Sequence, residues 1–258
     1  MLKIAFNDYY VQPLPEGHRF PMDKYDLLPK QLLHEGIVEE DAFFSPDVID
    51  SNHVLAVHDK NYFDALRALR IDKKAQRKSG FPHDERLILR EQIIMEGTRQ
   101  CAEFALEFGA AMNIAGGTHH AYTDRGEGFC LLNDQAIAAQ WLLDTGKSKQ
   151  ILIIDLDVHQ GNGTAEIFRE NPQVFTFSMH GENNYPLKKE TSDLDIPLPD
   201  SIKDKEYLYL LEKHLDQVLQ HFTPDFLFFQ SGVDIIETDK LGRLGVSIQG
   251  CHQRDEIV

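Results

Sequence analysis

The chain alternates short runs of consecutive apolar residues with longer stretches whose apolar positions recur every three or four residues. Ile151-Leu-Ile-Ile and Phe226-Leu-Phe-Phe are runs of the first kind. Runs of that length, β-branched or aromatic in character, mark strands buried on both faces. On this pattern residues 3–6, 110–115, 150–156, 174–178 and 226–230 are predicted strands, with 110–115 short and buried. Residues 86–108 carry apolar side chains at helical spacing among good helix formers, which predicts one long helix. Shorter helices are expected over 29–35, 62–69, 133–143, 164–169 and 206–221. The polar stretch 182–204, with Pro186, Pro197 and Pro199, is expected to be a long loop. Alternation of this kind builds a mainly parallel sheet covered on both faces, so the predicted fold class is a three-layer α/β/α arrangement.

Composition narrows the function classes. A chain of 258 residues suits one α/β domain or two small ones, and can bury a full core without disulfides. Its 42% hydrophobic and 26% charged residues are those of an ordinary globular protein. No apolar run is long enough to span a bilayer, and the first residues lack the apolar core of an export signal. Cys101, Cys130 and Cys251 form no Cys-x-x-Cys pair, which excludes a zinc knuckle and fits a reducing compartment. A cytoplasmic location is expected, or a nuclear one in a eukaryote. Against 26 Lys and Arg stand 42 Asp and Glu, a formal charge of −16. Such a surface repels nucleic acid and anionic membranes. It could favour cationic substrates, although solubility alone explains it. The basic stretch 67–78 is a local exception, read as a solvated helix end or loop.

Chemistry concentrates where strands end. Four predicted strands run into Ala115-Gly-Gly-Thr-His-His, Asp155-Leu-Asp-Val-His, Ser178-Met-His and Ser231-Gly-Val-Asp. In parallel sheets ligands gather beyond the carboxyl ends of strands. One such ending is explicable as a solvated loop; four at one rim are not. In an extended Asp155–His159 segment, Asp155, Asp157 and His159 would face one way while Leu156 and Val158 pack the other. A carboxylate and an imidazole at that spacing can share a metal ion, and Gln160-Gly-Asn-Gly then turns tightly into a helix. Asp234 would complete a set of two carboxylates and one imidazole with an open position, suited to hydrolysis. Zn²⁺ is the default ion, and Fe²⁺ or Co²⁺ also suits a mixed Asp/His set. His119 and His120, behind a glycine turn, are either paired surface histidines or acid–base groups; a nearby metal favours the second. Asp155 and Asn162 are the available hydrogen-bonding partners for such groups.

Taken together, these motifs resemble the histone deacetylase superfamily within the arginase/deacetylase fold, over nearly the whole chain. Gly-Gly-Thr-His-His at 116–120, Gly-Phe-Cys-Leu-Leu-Asn-Asp at 128–134, Asp-Leu-Asp-Val-His-Gln-Gly-Asn-Gly at 155–163 and Gly-Val-Asp at 232–234 occur in family order. Asp-Lys-Leu-Gly-Arg-Leu at 239–244 matches the stretch after the last ligand. His-Arg-Phe-Pro-Met-Asp-Lys-Tyr at 18–25 and the Gln-Gly-Asn-Gly variant are most similar to the class IV branch and its bacterial relatives. The resemblance implies metal ligands Asp157, His159 and Asp234, with His120 as general base and then general acid. It implies His119 as the second imidazole, paired with Asp155. Asn162 stands where many relatives have Asp, so the partner of His120 would be neutral. Gly128 and Phe129 would line an acyl-lysine channel with Tyr185 on the facing wall. Asp155, Ser178 and Met179 match a monovalent-cation site, normally K⁺. The family also has a later Gly-Gly-Tyr segment whose tyrosine donates to the oxyanion. The sequence closes at Val258 without it, which implies one deacetylase-like domain over 1–258 that is shortened, poorly active and less stable than a longer form.

The resulting expectation is a hydrolase of acylated amines: an acyl-lysine peptide or protein, or a small acylated amine such as a polyamine or metabolite. Water activated by the ion attacks the acyl carbonyl while His120 moves the proton. Two rivals stand beside it. A ureohydrolase of the same fold would need a second ion and more aspartates than Asp234-Ile-Ile-Glu offers. A metal-binding module without turnover would fit the absent tyrosine.

Overall fold

The apolar run near the N-terminus forms strand β1 (Lys3–Ala5), with Ile4 and Ala5 buried. The structure is a computed structural model that describes residues 2–258. It divides into two units, Met1–Asp144 and Thr145–Val258. In the first, β1 is followed by α1 (Lys24–His34), β2 (Phe43–Phe44), α2 (Ser51–Leu55), α3 (Lys60–Arg67), α4 (Lys73–Ser79), α5 (Glu85–Phe108), β3 (Ala111–Asn113) and α6 (Asp134–Asp144). Aspartates start four helices in succession. Asp50, Asp59, Asp72 and Asp84 accept hydrogen bonds from first-turn N–H groups of α2, α3, α4 and α5. Each cap satisfies donors the helix cannot, worth about 1 kcal/mol. The strands form a parallel sheet in the order β2-β1-β3. Helix α5 packs on β1, β3 and α6. Its Leu87, Ile94 and Met95 are completely buried, each worth about 1.5–3 kcal/mol relative to exposure.

Three expectations change in this unit. The helix expected over 29–35 begins at Lys24 and carries Pro29 in its interior, where one backbone donor is lost. The strand expected over 110–115 spans only Ala111–Asn113 and is not buried: Met112 is 47% exposed. The basic stretch 67–78 runs from the end of α3 through most of α4.

The second unit runs β4 (Ile151–Asp155), α7 (Asn162–Phe168), β5 (Val174–Gly181), β6 (Leu194–Leu198), α8 (Asp204–His221), β7 (Phe226–Gln230) and α9 (Ile248–Ile257). Its four strands are all parallel, in the order β6-β5-β4-β7. All five residues of β4 are buried. Leu152, Ile154, Phe177 and Met179 share a core with Tyr207 and Leu211 of α8. Two expectations are corrected. β5 continues to Gly181, so Ser178 lies inside the strand rather than at its end. The stretch 182–204 is not all loop, because β6 lies within it. Pro197 is tolerated there because β6 is the outermost strand of this sheet, where a missing N–H removes no central ladder bond.

Candidate metal centre and active site

β4 and β7 are neighbours, in register from Ile151 opposite Phe226 to Asp155 opposite Gln230. Segments leaving their carboxyl ends therefore emerge side by side. The first carries Asp157 and His159, the second Asp234. β4 stops at Asp155, so Asp157 and His159 follow the strand instead of extending it. The alternation survives in burial: Leu156 and Val158 enter the core while Asp157 and His159 stay half-buried. His159 Nδ1 lies 3.0 Å from Asp157 Oδ1 and 3.0 Å from Asp234 Oδ2. One ligand atom from each of the three lies within 4.8 Å of the others, and among the described residues no other His, Cys, Asp or Glu group does this. A four-coordinate ion with bonds of about 2.0–2.2 Å holds neighbouring ligand atoms roughly 3.3 Å apart. The donor set thus fits a single divalent ion.

Electrostatics point the same way. Burial pulls the His159 pKa down, but hydrogen bonds to Asp157 and Asp234 outweigh it and raise the imidazole to about 10. Burial, then the Asp157 charge, pushes the Asp234 carboxyl up. A proton on His159 thus does in the metal-free protein what a cation would do: it offsets two converging carboxylates.

Local hydrogen bonds set these side chains. Asp157 Oδ1 accepts from the His159 N–H at 2.8 Å, and Asp155 Oδ1 from the Asp157 N–H at 3.1 Å. Asp234 Oδ1 accepts from the Val158 N–H at 3.0 Å, tying the two ligand segments together. Gly232 must be glycine, since a Cβ there would overlap the Asp157 carboxylate. Sequence reasoning missed Arg254 of α9, which is fully buried. Its Nη1 donates to Gly232 O at 2.5 Å and lies 3.4 Å from Leu156 O, one carbonyl on each ligand segment. Its Nε donates to Asp255 at 2.8 Å, and the guanidinium lies 5.5 Å from the Phe229 ring centroid. The adjacent Arg-Asp pair was the only trace of this in the sequence.

The remaining expected residues of this unit fall as follows. Asp155 sits opposite Ser178 in the β4–β5 register, and both are buried. The Met179 side chain belongs to the core, so only its backbone could face an ion. Asn162 begins α7 and is completely buried. Gly161 and Gly163 lie at the start of that helix, and neither has a positive φ. The Tyr185 ring stands edge-on to His159, centroids 6.5 Å apart.

In the first unit His119 and His120 are both buried, ring centroids 4.1 Å apart. The turn before them is held by Asp134, which sequence reasoning quoted within a motif but gave no role. This buried carboxylate accepts from Gly117 N–H at 3.0 Å, Thr118 N–H and hydroxyl at 2.7 Å, and the Thr98 hydroxyl at 2.6 Å. Gly117 has φ +92°, a conformation open to glycine and rarely to other residues. Gly128 and Phe129 are also left-handed, φ 52° and 66°. For Phe129 that is strained, and it is held by hydrogen bonds from Gly128 N–H to Lys78 O and from Phe129 N–H to Ser79 O. The ring packs over Gly80, where a Cβ would lie 2.6 Å from it.

A histone deacetylase domain model matches residues 18–258. An uncharacterized protein of Picosynechococcus sp. is 43% identical over 255 residues, spanning 99% of this chain and 85% of that protein. Histone deacetylase 2 of Arabidopsis thaliana is 28% identical over 250 residues, 93% of this chain and 65% of its own. The crystal structure of an HDAC homolog from Aquifex aeolicus aligns with a TM-score of 0.88 at 27% identity, over 99% of this chain and 75% of that one. The mainly parallel α/β fold expected from the sequence is therefore the deacetylase fold, with the strands divided between a three-stranded and a four-stranded sheet instead of the one sheet expected.

Proposed function

The chain belongs to the histone deacetylase family, and from that premise we propose that it hydrolyses the amide of an acylated amine at one divalent ion held by Asp157, His159 and Asp234. The observation that carries this reading is the convergence of those three ligand atoms beyond adjacent parallel strands. Bound there, Zn²⁺ or a similar ion supplies Lewis acidity, polarising a carbonyl and acidifying water. The protein's own groups supply the rest. His120 takes a proton from the attacking water and returns it to the departing amine. His119 supports it as the second imidazole, and burial of both rings keeps competing water away. Gly128, Phe129 and Tyr185 line the approach of the acylated chain. Asp155 and Asn162 orient the imidazoles, and Asp155, Ser178 and Met179 form a K⁺ site.

Elemental analysis of protein purified without a chelating column, paired with hydrolysis of an acetyl-lysine peptide, tests this. One ion per chain is expected, lost in Asp157→Ala. His120→Ala should keep the ion and lose turnover. Two ions per chain would favour a ureohydrolase, and an ion without turnover a binding module. Loss of the ion in His120→Ala would show the ligand set to be wrong.

A further inference from the structure

Beside Phe129 the first unit carries an open pocket of about 600 Å³. Its floor is aromatic. The Phe81 and Phe129 centroids lie 5.4 Å apart, and the His18 ring stacks on Phe81 at 5.7 Å with 13° between planes. Its rim is cationic, formed by Arg19, Lys73 and Arg77, and no carboxylate lines it. All three cations are exposed, and none has a carboxylate within 4.0 Å among the described residues. The neighbouring Asp72 directs its carboxylate to the N–H groups of Lys74 and Ala75. In a chain with 42 acidic residues against 26 basic ones, three unpaired cations around one aromatic floor form a local field opposite to the whole.

We propose that this pocket takes a carboxylate carried by the substrate close to its acylated amine. The proposal rests on the reading above, because Phe129 belongs both to the pocket and to the proposed acyl channel. An acidic side chain flanking an acyl-lysine, or the free carboxylate of an N-acyl amino acid, presents the required charge. Acetylated polyamines and Lys-rich segments are repelled by the same cations. A polyanion such as RNA fits less well, since it must also face the remaining formal charge of −16.

The test compares kcat/KM for Nε-acetyl-lysine peptides flanked by Glu, Ala or Lys, for free Nε-acetyl-lysine and its amide, and for acetylspermidine. Glu over Ala should gain on the order of tenfold, the sum of a few exposed ion pairs, and the gain should shrink in high salt. The combined variant Arg19→Gln, Lys73→Gln, Arg77→Gln should bring that ratio close to one. Preference for the Glu peptides alone identifies a peptide side chain as the source. Preference for free acetyl-lysine over its amide identifies the α-carboxylate. A ratio unchanged in the triple variant, or a preference for Lys-flanked peptide or acetylspermidine, overturns the proposal. If no probe is hydrolysed, the proposed reaction fails, and the pocket is judged by anisotropy of a fluorescent Glu-flanked peptide. Binding weakened by the triple variant supports the pocket; equal binding, or stronger competition by an RNA oligonucleotide than by poly-glutamate, rejects it.

Discussion

At the scale of single residues, His58 shows how burial fixes a protonation state. Its Nδ1–H faces Tyr122 O at 3.0 Å while Nε2 accepts from the Asn133 N–H at 3.0 Å, so the neutral ring satisfies both partners. Burial pushes its pKa down to about 4. The unfolded chain, with an ordinary imidazole near 6.5, takes up the proton first as pH falls. The stability His58 contributes is therefore complete above pH 6.5 and lost as pH falls towards 4, about 3 kcal/mol in full. Urea denaturation at pH 7.5 and pH 5 should show that loss, and His58→Gln should be less stable at pH 7.5 yet flatter between the two. An equally steep variant would assign the acid sensitivity to other groups, such as His180, which burial also lowers to about 4. Arg254 acts through position instead. With Nη1 on Gly232 O and near Leu156 O, it fixes the segments bearing Asp234 and Asp157. Arg254→Met should weaken metal binding by about 10–100-fold, as loss of outer-shell support does. Arg254→Lys, which keeps the charge and a donor, should lose less. Competition against a chelator of known affinity reads both.

At the scale of elements, Asp134 joins the start of α6 to the turn bearing His119 and His120. Asp134→Asn keeps the shape but exchanges an acceptor-only group for one with two donors, aimed at N–H and O–H groups that also donate. A loss of about 3 kcal/mol is expected from broken charged hydrogen bonds, measurable by urea denaturation. A loss below 1 kcal/mol would mean the turn is held by other contacts. This element also shows what the sequence made legible. The strands Ile151–Asp155 and Phe226–Gln230 were plain because each is a short apolar run, but only the first is buried throughout; Phe226–Gln230 lies at the end of its sheet and leaves Leu227 40% exposed, against the expectation of burial on both faces. The candidate metal ligands Asp157, His159 and Asp234 could be picked out because they follow those strands. Strand Leu194–Leu198 was hidden because a proline and an acidic residue, Pro197 and Asp195, interrupt its pattern, which an outermost strand tolerates. Helix α4 was hidden because its sequence, Lys-Lys-Ala-Gln-Arg-Lys-Ser, offers no apolar face; its signal was the Asp72 cap. Arg254 and Asp134 were illegible as structural supports because the backbone groups they hold, Gly232 O for one and the Gly117 and Thr118 N–H groups for the other, lie far along the chain, which no local spacing reveals.

At the scale of the whole molecule, the proposed ion would be linked to the fold through charge. Asp157 and Asp234 converge beyond the second unit's sheet, each 3.0 Å from His159 Nδ1, and a proton on that ring offsets their charge. An ion at the proposed site would bind the folded arrangement and not the unfolded chain, and so would stabilise the fold by mass action. At a free concentration one hundred times its Kd the gain is about 2.7 kcal/mol. Stripping the ion with EDTA should therefore lower the melting temperature of the native protein and leave Asp157→Ala unchanged. Proton and ion also compete for the same imidazole. The imidazole pKa of about 10 lies above working pH, so ion uptake must expel a proton and affinity should rise with pH over the range 6.5 to 10. Calorimetry in two buffers of different ionisation enthalpy should report about one proton released per Zn²⁺ at pH 7.5. In the metal-free protein the sign is opposite. Stability owed to the protonated His159 is complete below pH 6.5 and declines as pH rises towards 10. Chelator-treated and ion-loaded protein should therefore diverge in melting temperature as pH is raised. If the two curves stay parallel from pH 6.5 to 9, His159 is not the group that exchanges its proton for the ion.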